Sequence, residues 1–183
     1  MSFNVNEIKS QLTYGGARPT QFYVQFSNPS DSSADLKVPF MVQAASIPPS
    51  TLGQINVPYF GRTIPVPGDR TYSAWNVNVM NDEDFLVRNS IEKWSHDINS
   101  PEGNIRRFPG ASALLTQGTA LVTQMGKNGQ ALRTYKFHGI WPQEVGEIQL
   151  AWDATDQIEL FPVTFAYDFW TVVPGPTGDG GGE

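Results

Sequence analysis

Two histidines, His96 and His138, are the side chains of this sequence whose charge changes near neutral pH, so proton-transfer chemistry is sought there first. His96 ends a helical stretch, where a helix-end cation or a solvated side chain accounts for it. His138 lies in a strand-like stretch and reads as packed or hydrogen-bonded. Neither falls in a metal-ligand spacing. The step Gly126-Lys127-Asn128 resembles the end of a phosphate-binding loop, but that loop needs Ser or Thr after the lysine and an earlier glycine where Leu121 stands. A hairpin turn explains it better. Gly110-Ala111-Ser112-Ala113-Leu114 lacks the second glycine of a nucleophile elbow. The run Asp82-Glu83-Asp84 is acidic enough for a cation, yet consecutive carboxylates on a first helical turn diverge, and calcium loops use alternate positions. Helix capping is the better reading there, and a turn is the better reading of Asp153 and Asp156. No catalytic, cofactor-binding or metal-binding set assembles from these residues.

The composition narrows the classes further. The chain has 183 residues, 39% hydrophobic and 12% aromatic, with 16% charged, which is too apolar for wholesale disorder. The net charge of −6, from 18 acidic and 12 basic side chains, repels nucleic-acid phosphate instead of gripping it. Without cysteine there is no disulfide, thiolate metal site or cysteine nucleophile. No apolar block of a secretory signal opens the chain, and no stretch approaches the ~20 apolar residues that span a bilayer. The expectation is a soluble chain made in the cytosol. Trp75, Trp94, Trp141, Trp152 and Trp170 each fall on an apolar periodic face, which favours core or subunit packing over stacking on sugar or base. Arg106-Arg107-Phe108 is too short a basic cluster for nucleic acid.

Any such residues would be positioned by strands, because the dominant hydrophobic period is two. Phe22, Val24 and Phe26 share one face, and Trp75, Val77 and Val79 alternate with amides. Thr119 to Met125 and Leu132 to Trp141 flank Gly126-Lys127-Asn128-Gly129, whose Asn-Gly supplies the positive φ of a tight turn, so these two segments pair antiparallel. Glu147 to Trp152 puts Ile148, Leu150 and Trp152 on one face. In Ile158 to Val173 the apolar phase switches from even to odd positions at Phe161-Pro162, which predicts a bulge or bend there, or two consecutive strands. One helical stripe, Val87, Ile91, Trp94 and Ile98, predicts a lid helix over about 82–98, capped by Asn81. Ala111 to Leu115 reads as a short second helix.

The fold class is therefore mainly β, an antiparallel sandwich or barrel-like domain with one flanking helix. A single domain over 1–173 carries a Pro-rich excursion at 48–69, extended or at most an edge hairpin, because proline donates no ladder hydrogen bond. Its Ile55, Val57, Tyr59, Phe60, Ile64 and Val66 are too apolar for a solvated linker. The tail 174–183, PGPTGDGGGE, is expected to be flexible.

The block from Val38 to Trp94 resembles the tail tube proteins of contractile-tail bacteriophages of the T-even type. Its carriers are Pro39-Phe40-Met41-Val42-Gln43-Ala44-Ala45-Ser46-Ile47-Pro48, Val57-Pro58-Tyr59-Phe60-Gly61-Arg62, Pro67-Gly68-Asp69-Arg70 and Trp75-Asn76-Val77. Gly139-Ile140-Trp141-Pro142 and Val163-Thr164-Phe165-Ala166-Tyr167-Asp168-Phe169-Trp170 look equally like that family, in the same order across about residues 20–172. The resemblance implies a tail-tube fold, hexameric rings whose strands join into one closed inner barrel, and a stacked tube inside a contractile sheath. It also implies baseplate and tail-terminating proteins at the ends, and a tape-measure protein and then DNA in the lumen without specific binding. By the same analogy the excursion is the candidate for ring stacking, through Ile55, Val57, Tyr59 and Phe60, with the N-terminal segment as a candidate second contributor. The competing reading folds them back on the subunit's own core. Alternatives for the whole chain are the inner tube of a related contractile injection system, a monomeric carbohydrate-binding β-sandwich, and a hydrolase on a β-scaffold.

Overall fold

Strands such as Trp75–Met80, whose buried residues alternate with exposed ones, need a sheet with one covered face, and the protein supplies two such faces around one core. The computed structural model describes residues 5–12, 15–106 and 116–180. In chain order the elements are α1 (Val5–Gln11), β1 (Phe22–Ser27), a 3-10 turn (Ser32–Ala34), α2 (Val38–Met41), β2 (Val42–Ala45), β3 (Ser50–Tyr59), β4 (Arg62–Tyr72) and β5 (Trp75–Met80). Then come α3 (Leu86–Ile98), β6 (Gly118–Met125), β7 (Ala131–Val145), β8 (Leu160–Ala166) and β9 (Phe169–Val173).

All strand pairs are antiparallel. The main sheet runs β1-β6-β7-β8-β5-β2, with β9 also on β7. Strand β7 holds the arrangement together, because its first part pairs with β6 and β9 and its last part, from Trp141, pairs with β8. The corner lies at Gly139, whose φ of +65° is a conformation that side chains with a Cβ rarely adopt. A Cβ there would also stand 2.2 Å from the Asp168 carboxylate. One 15-residue strand thus serves two faces of the core.

That core is aromatic. Trp75 stacks on Phe137 at 4.6 Å, and Phe165 leans against Trp75, Phe26 and Trp94. Helix α3 adds the expected stripe: Val87, Ile91 and Trp94 are buried and Ile98 partly so. The Trp94 indole N–H donates to the Thr116 carbonyl at 2.7 Å. Asn28 ties the 3-10 region to this helix, donating from Nδ2 to the Ser90 carbonyl and hydroxyl at 3.0 and 2.9 Å.

Four expectations are corrected. Helix α3 starts at Leu86 and Asn81 does not cap it; the Asn81 amide donates to Glu159 instead, and Asp84 accepts from the Leu86 N–H. Lys37 decides this, because it bridges Asp82 and Asp84 and holds the run ahead of the helix. Glu147 to Trp152 forms no strand: the β7–β8 ladder ends at Val145–Val163 with one further bond from the Gly146 N–H to the Pro162 carbonyl, and Pro162 offers no N–H to carry it on. Trp152 is accordingly fully exposed, not packed. The break in the last apolar segment falls at Tyr167-Asp168, between β8 and β9, not at Phe161-Pro162. Ile158 and Leu160 look out of phase because they are exposed and belong to no core face.

The β6–β7 hairpin forms as expected, with a finer detail. Gly129 N–H bonds the Gly126 carbonyl, and only Gly129 within the loop has positive φ, at +72°. This is a type I turn closed by a glycine bulge, not a two-residue turn with both residues left-handed. The expected helix at Ala111 to Leu115, the Gly110–Leu114 stretch and Arg107-Phe108 lie outside the described residues.

Candidate functional site

Beyond the main sheet, β3 and β4 form a second, two-stranded sheet that pairs with no other strand among the described residues. The ladder of β2 and β5 leads into it: Ala45 faces Val77, Ser46 N–H bonds Asn76 C=O, and Ser50 faces Tyr72. The ribbon therefore prolongs the β2–β5 pair outward from the body. Over its nine rises from Ser50 to Tyr59, at ~3.3 Å each, it reaches about 30 Å.

Pairing decides which side chains share a face. Ile55 faces Val66, Val57 faces Ile64 and Tyr59 faces Arg62, so five apolar residues line one side. Gln54, Asn56, Pro58, Thr63, Pro65 and Pro67 take the other. The apolar five keep 41–61% of their surface exposed. At the tip, Phe60 and Gly61 have φ of +39° and +77°, a two-residue turn with both central residues left-handed. Glycine adopts this freely, whereas a bulky aromatic residue pays backbone strain there. Phe60 is 91% exposed and meets Tyr59 edge-to-face at 4.7 Å. An isolated two-stranded ribbon is marginal in water, and an apolar face of this kind marks an interaction surface.

The prolines set how the ribbon can be met. Counting from the Tyr59–Arg62 pair beside the turn, hydrogen-bonded and non-hydrogen-bonded pairs alternate. Pro58, Pro65 and Pro67 all fall at non-hydrogen-bonded pairs, where an N–H would point away from the partner strand. The outer edge of β4 thus keeps one outward donor, at Thr63, among positions 63, 65 and 67. On its β4 side the ribbon offers a side-chain face more readily than a strand edge, while β3 keeps outward donors at Gln54 and Asn56.

An aromatic cluster anchors the root. Tyr72 meets Tyr167 and Trp170 edge-to-face, and the Tyr167 hydroxyl donates to the Ser73 carbonyl at 2.7 Å. Desolvation, aided by Tyr72, pushes the Tyr167 pKa up to about 12. A tyrosine whose folded pKa exceeds the ordinary value of ~10 contributes stability that is complete below pH ~10 and lost as pH rises through about 12. Melting temperature is expected to fall over that alkaline window, and Tyr167→Phe to flatten the fall. Equal slopes in the two proteins, measured by circular dichroism, would refute this account of the root.

The nominated site residues Ile55, Val57 and Tyr59 therefore sit together on one ribbon face, and Phe60 crowns it. None belongs to the core cluster. Sequence reasoning passed over Arg62, which the pairing places on the apolar face beside Tyr59. It also passed over Val5, Ile8 and Leu12, whose three- and four-residue spacing forms an exposed apolar stripe at α1.

The residues first searched for chemistry lie apart from the ribbon. His138 Nε2 is 3.0 Å from the Thr171 hydroxyl, and its ring stacks on Phe169. Burial, then Lys136, lowers its pKa, which favours the neutral packed form. His96 lies in the last turn of α3 with an exposed side chain. Asp153 and Asp156 lie in turns, the latter with φ of +58°. Among the described residues no group of three or more His, Asp or Glu side chains is placed to hold a metal ion, and no helix is long and apolar enough to cross a membrane.

Known proteins give this surface a context. A family model described as "Phage tail tube protein" matches residues 17–173. The tail tube protein gp19 of Enterobacteria phage T4 is 33% identical over 155 residues, covering 84% of this chain and 90% of that protein. The tail tube protein of Serratia phage KSP90 is 28% identical over 170 residues, covering 89% and 93%. Among solved structures, a chain of an extracellular contractile injection system's sheath–tube complex superposes with a TM-score of 0.55 at 12% identity, covering 94% of this chain and 99% of that one. A chain from the tube-terminating cap of the anti-feeding prophage gives 0.58 at 16% identity, covering 87% and 91%. These two likenesses concern the fold.

Proposed function

The chain belongs to the phage tail tube protein family, and from that premise we propose that six copies close into a ring and that rings stack as the inner tube of a contractile virion tail. The tube serves as the conduit for DNA, which follows a tape-measure protein through the lumen. A sheath protein covers the outside, and baseplate and terminating proteins close the two ends. The role is structural, without catalysis. A net charge of −6 suits a conduit, because an acidic wall repels phosphate and lets it slide.

One observation carries the stacking part of this reading. The β3–β4 ribbon exposes an apolar face and a strained aromatic tip that no other described element of its own subunit covers. Ile55, Val57, Tyr59 and Phe60 are its contacts with the adjacent ring.

Negative-stain microscopy of the purified protein tests the proposal. Hollow tubes with six-fold rings are expected at high concentration, and a persistent monomer would overturn it. Tyr59→Ser combined with Phe60→Ser is expected to abolish tubes and leave melting close to the parent, since exposed substitutions change stability by about 0.5 kcal/mol or less. Unimpaired tube growth would sink the stacking role.

A further inference from the structure

The ribbon leaves the β2–β5 pair at the end marked by Ala45 and Trp75, and a recess opens at the opposite end of that same pair. It measures about 500 Å3 and is walled by Met41, Met80, Phe85 and Ile158. Asn81 and Glu159 also line it. Phe85 and Ile158 are 40% and 68% exposed, so this wall, like the ribbon, is apolar surface open to solvent. We propose that the Tyr59–Phe60 tip of one copy seats in this recess on the next copy, with Arg62 reaching the polar side of the recess. The inference rests on the stacking role proposed above and names its receptor.

Three observations support that occupant. The first is position. Tip and recess lie at opposite ends of one strand pair, so displacing a copy along the strands brings its tip toward its neighbour's recess. Such a contact is head-to-tail and repeats without limit, as a tube requires. A tip about 30 Å from the ribbon's root also lies far from its own copy's recess at the other end of the pair.

The second is polarity. Asn81 donates its Nδ2 to a Glu159 oxygen at 2.7 Å, which fixes the amide so that Oδ1 is a buried acceptor with no partner among the described residues. An unpaired acceptor costs stability, so a donor entering from the next copy relieves that cost once the rim side chains shift to admit it. Arg62, beside Tyr59 on the apolar face, has no ion-pair partner among the described residues and carries five N–H donors.

The third is charge. Asp82, Glu83 and Glu159 line the recess, and Lys37 neutralises only the Asp82 side of it. Glu83 and Glu159 are left without a basic partner among the described residues, complementary to an incoming guanidinium.

Because the native chain has no cysteine, cross-linking reads the contact directly. Thr63→Cys and Gln157→Cys in one chain place thiols beside the tip and at the recess rim, outside the contacts invoked. Treating assembled tubes with a short bis-maleimide is expected to give a ladder of covalent multimers, absent from either single variant and from unassembled protein. Independently, Arg62→Glu is expected to lower assembled mass about tenfold, and adding Glu83→Arg to restore most of it. Tubes of the double-cysteine chain that yield no ladder, or an Arg62→Glu defect that Glu83→Arg leaves unchanged, would overturn this docking while the tube reading stands. Absence of tubes from the unaltered protein would instead remove the reading on which it rests.

Discussion

Trp75→Ala is expected to cost about 3–5 kcal/mol of folding stability, read as a shift of the denaturation midpoint in urea. Trp75 has no exposed surface and sits where both faces of the core meet: its ring stacks on Phe137 of β7 and leans on Phe165 of β8. Removing it opens a cavity walled by rigid aromatic rings, which collapse poorly. A second variant, which also lacks the indole N–H, grades the cavity. The indole N–H of Trp75 is buried without a hydrogen-bond partner among the described residues, so Trp75→Phe deletes an unsatisfied donor along with part of the ring. It is expected to cost markedly less than the alanine variant. Equal losses would show that the cost does not follow the volume of ring removed.

Gly139→Val is the other large effect, at about 3 kcal/mol, and it acts through the backbone. Valine at φ of +65° is strained by its branched Cβ, and that Cβ would overlap the Asp168 carboxylate at 2.2 Å. The two causes are separable by denaturant unfolding of Gly139→Ala with and without Asp168→Gly. The added glycine is expected to recover the share due to overlap and leave about 1–2 kcal/mol of φ strain. If Gly139→Ala alone is neutral, β7 has another way around the corner and the bend does not depend on this residue.

The sequence was most readable where one strand's period and its burial had a single cause. Trp75 to Met80 alternates because one face meets the core and the other does not, so periodicity and burial agree. Helix α3 was legible for the same reason, through its Val87, Ile91 and Trp94 stripe. Its start was not. Asn81, Asp82 and Asp84 can each cap a helix within a few residues of one another, and the choice is made by Lys37, more than forty positions away in the chain. Glu147 to Trp152 alternates as a strand would, yet alternation says nothing about whether a neighbouring strand has a free edge. At Ile158 and Leu160 the apparent phase switch reflects exposed apolar residues, which periodicity alone does not distinguish from buried ones.

The candidate surface divides along the same line. The apolar character of the excursion was legible, because such a proline-rich stretch cannot be an ordinary solvated linker, whereas its Phe60-Gly61 turn was not, since a bulky residue at positive φ carries no turn signal. The apolar recess stayed hidden because its walls come from Met41, Met80, Phe85 and Ile158, four separate places in the chain. No local pattern connects them; the fold alone brings them together.

The placement of Pro58, Pro65 and Pro67 has a consequence before any tube exists. A structural protein made in bulk must wait as free subunits, each carrying a long, apolar, two-stranded ribbon. Such ribbons are prone to add onto one another edge by edge and grow into cross-β fibrils. Here the β4 edge lacks the donors of Pro65 and Pro67 that such growth would use, which impedes addition on that side of the ribbon. On that edge the resistance to amyloid growth lies in the backbone chemistry of two imino acids, Pro65 and Pro67.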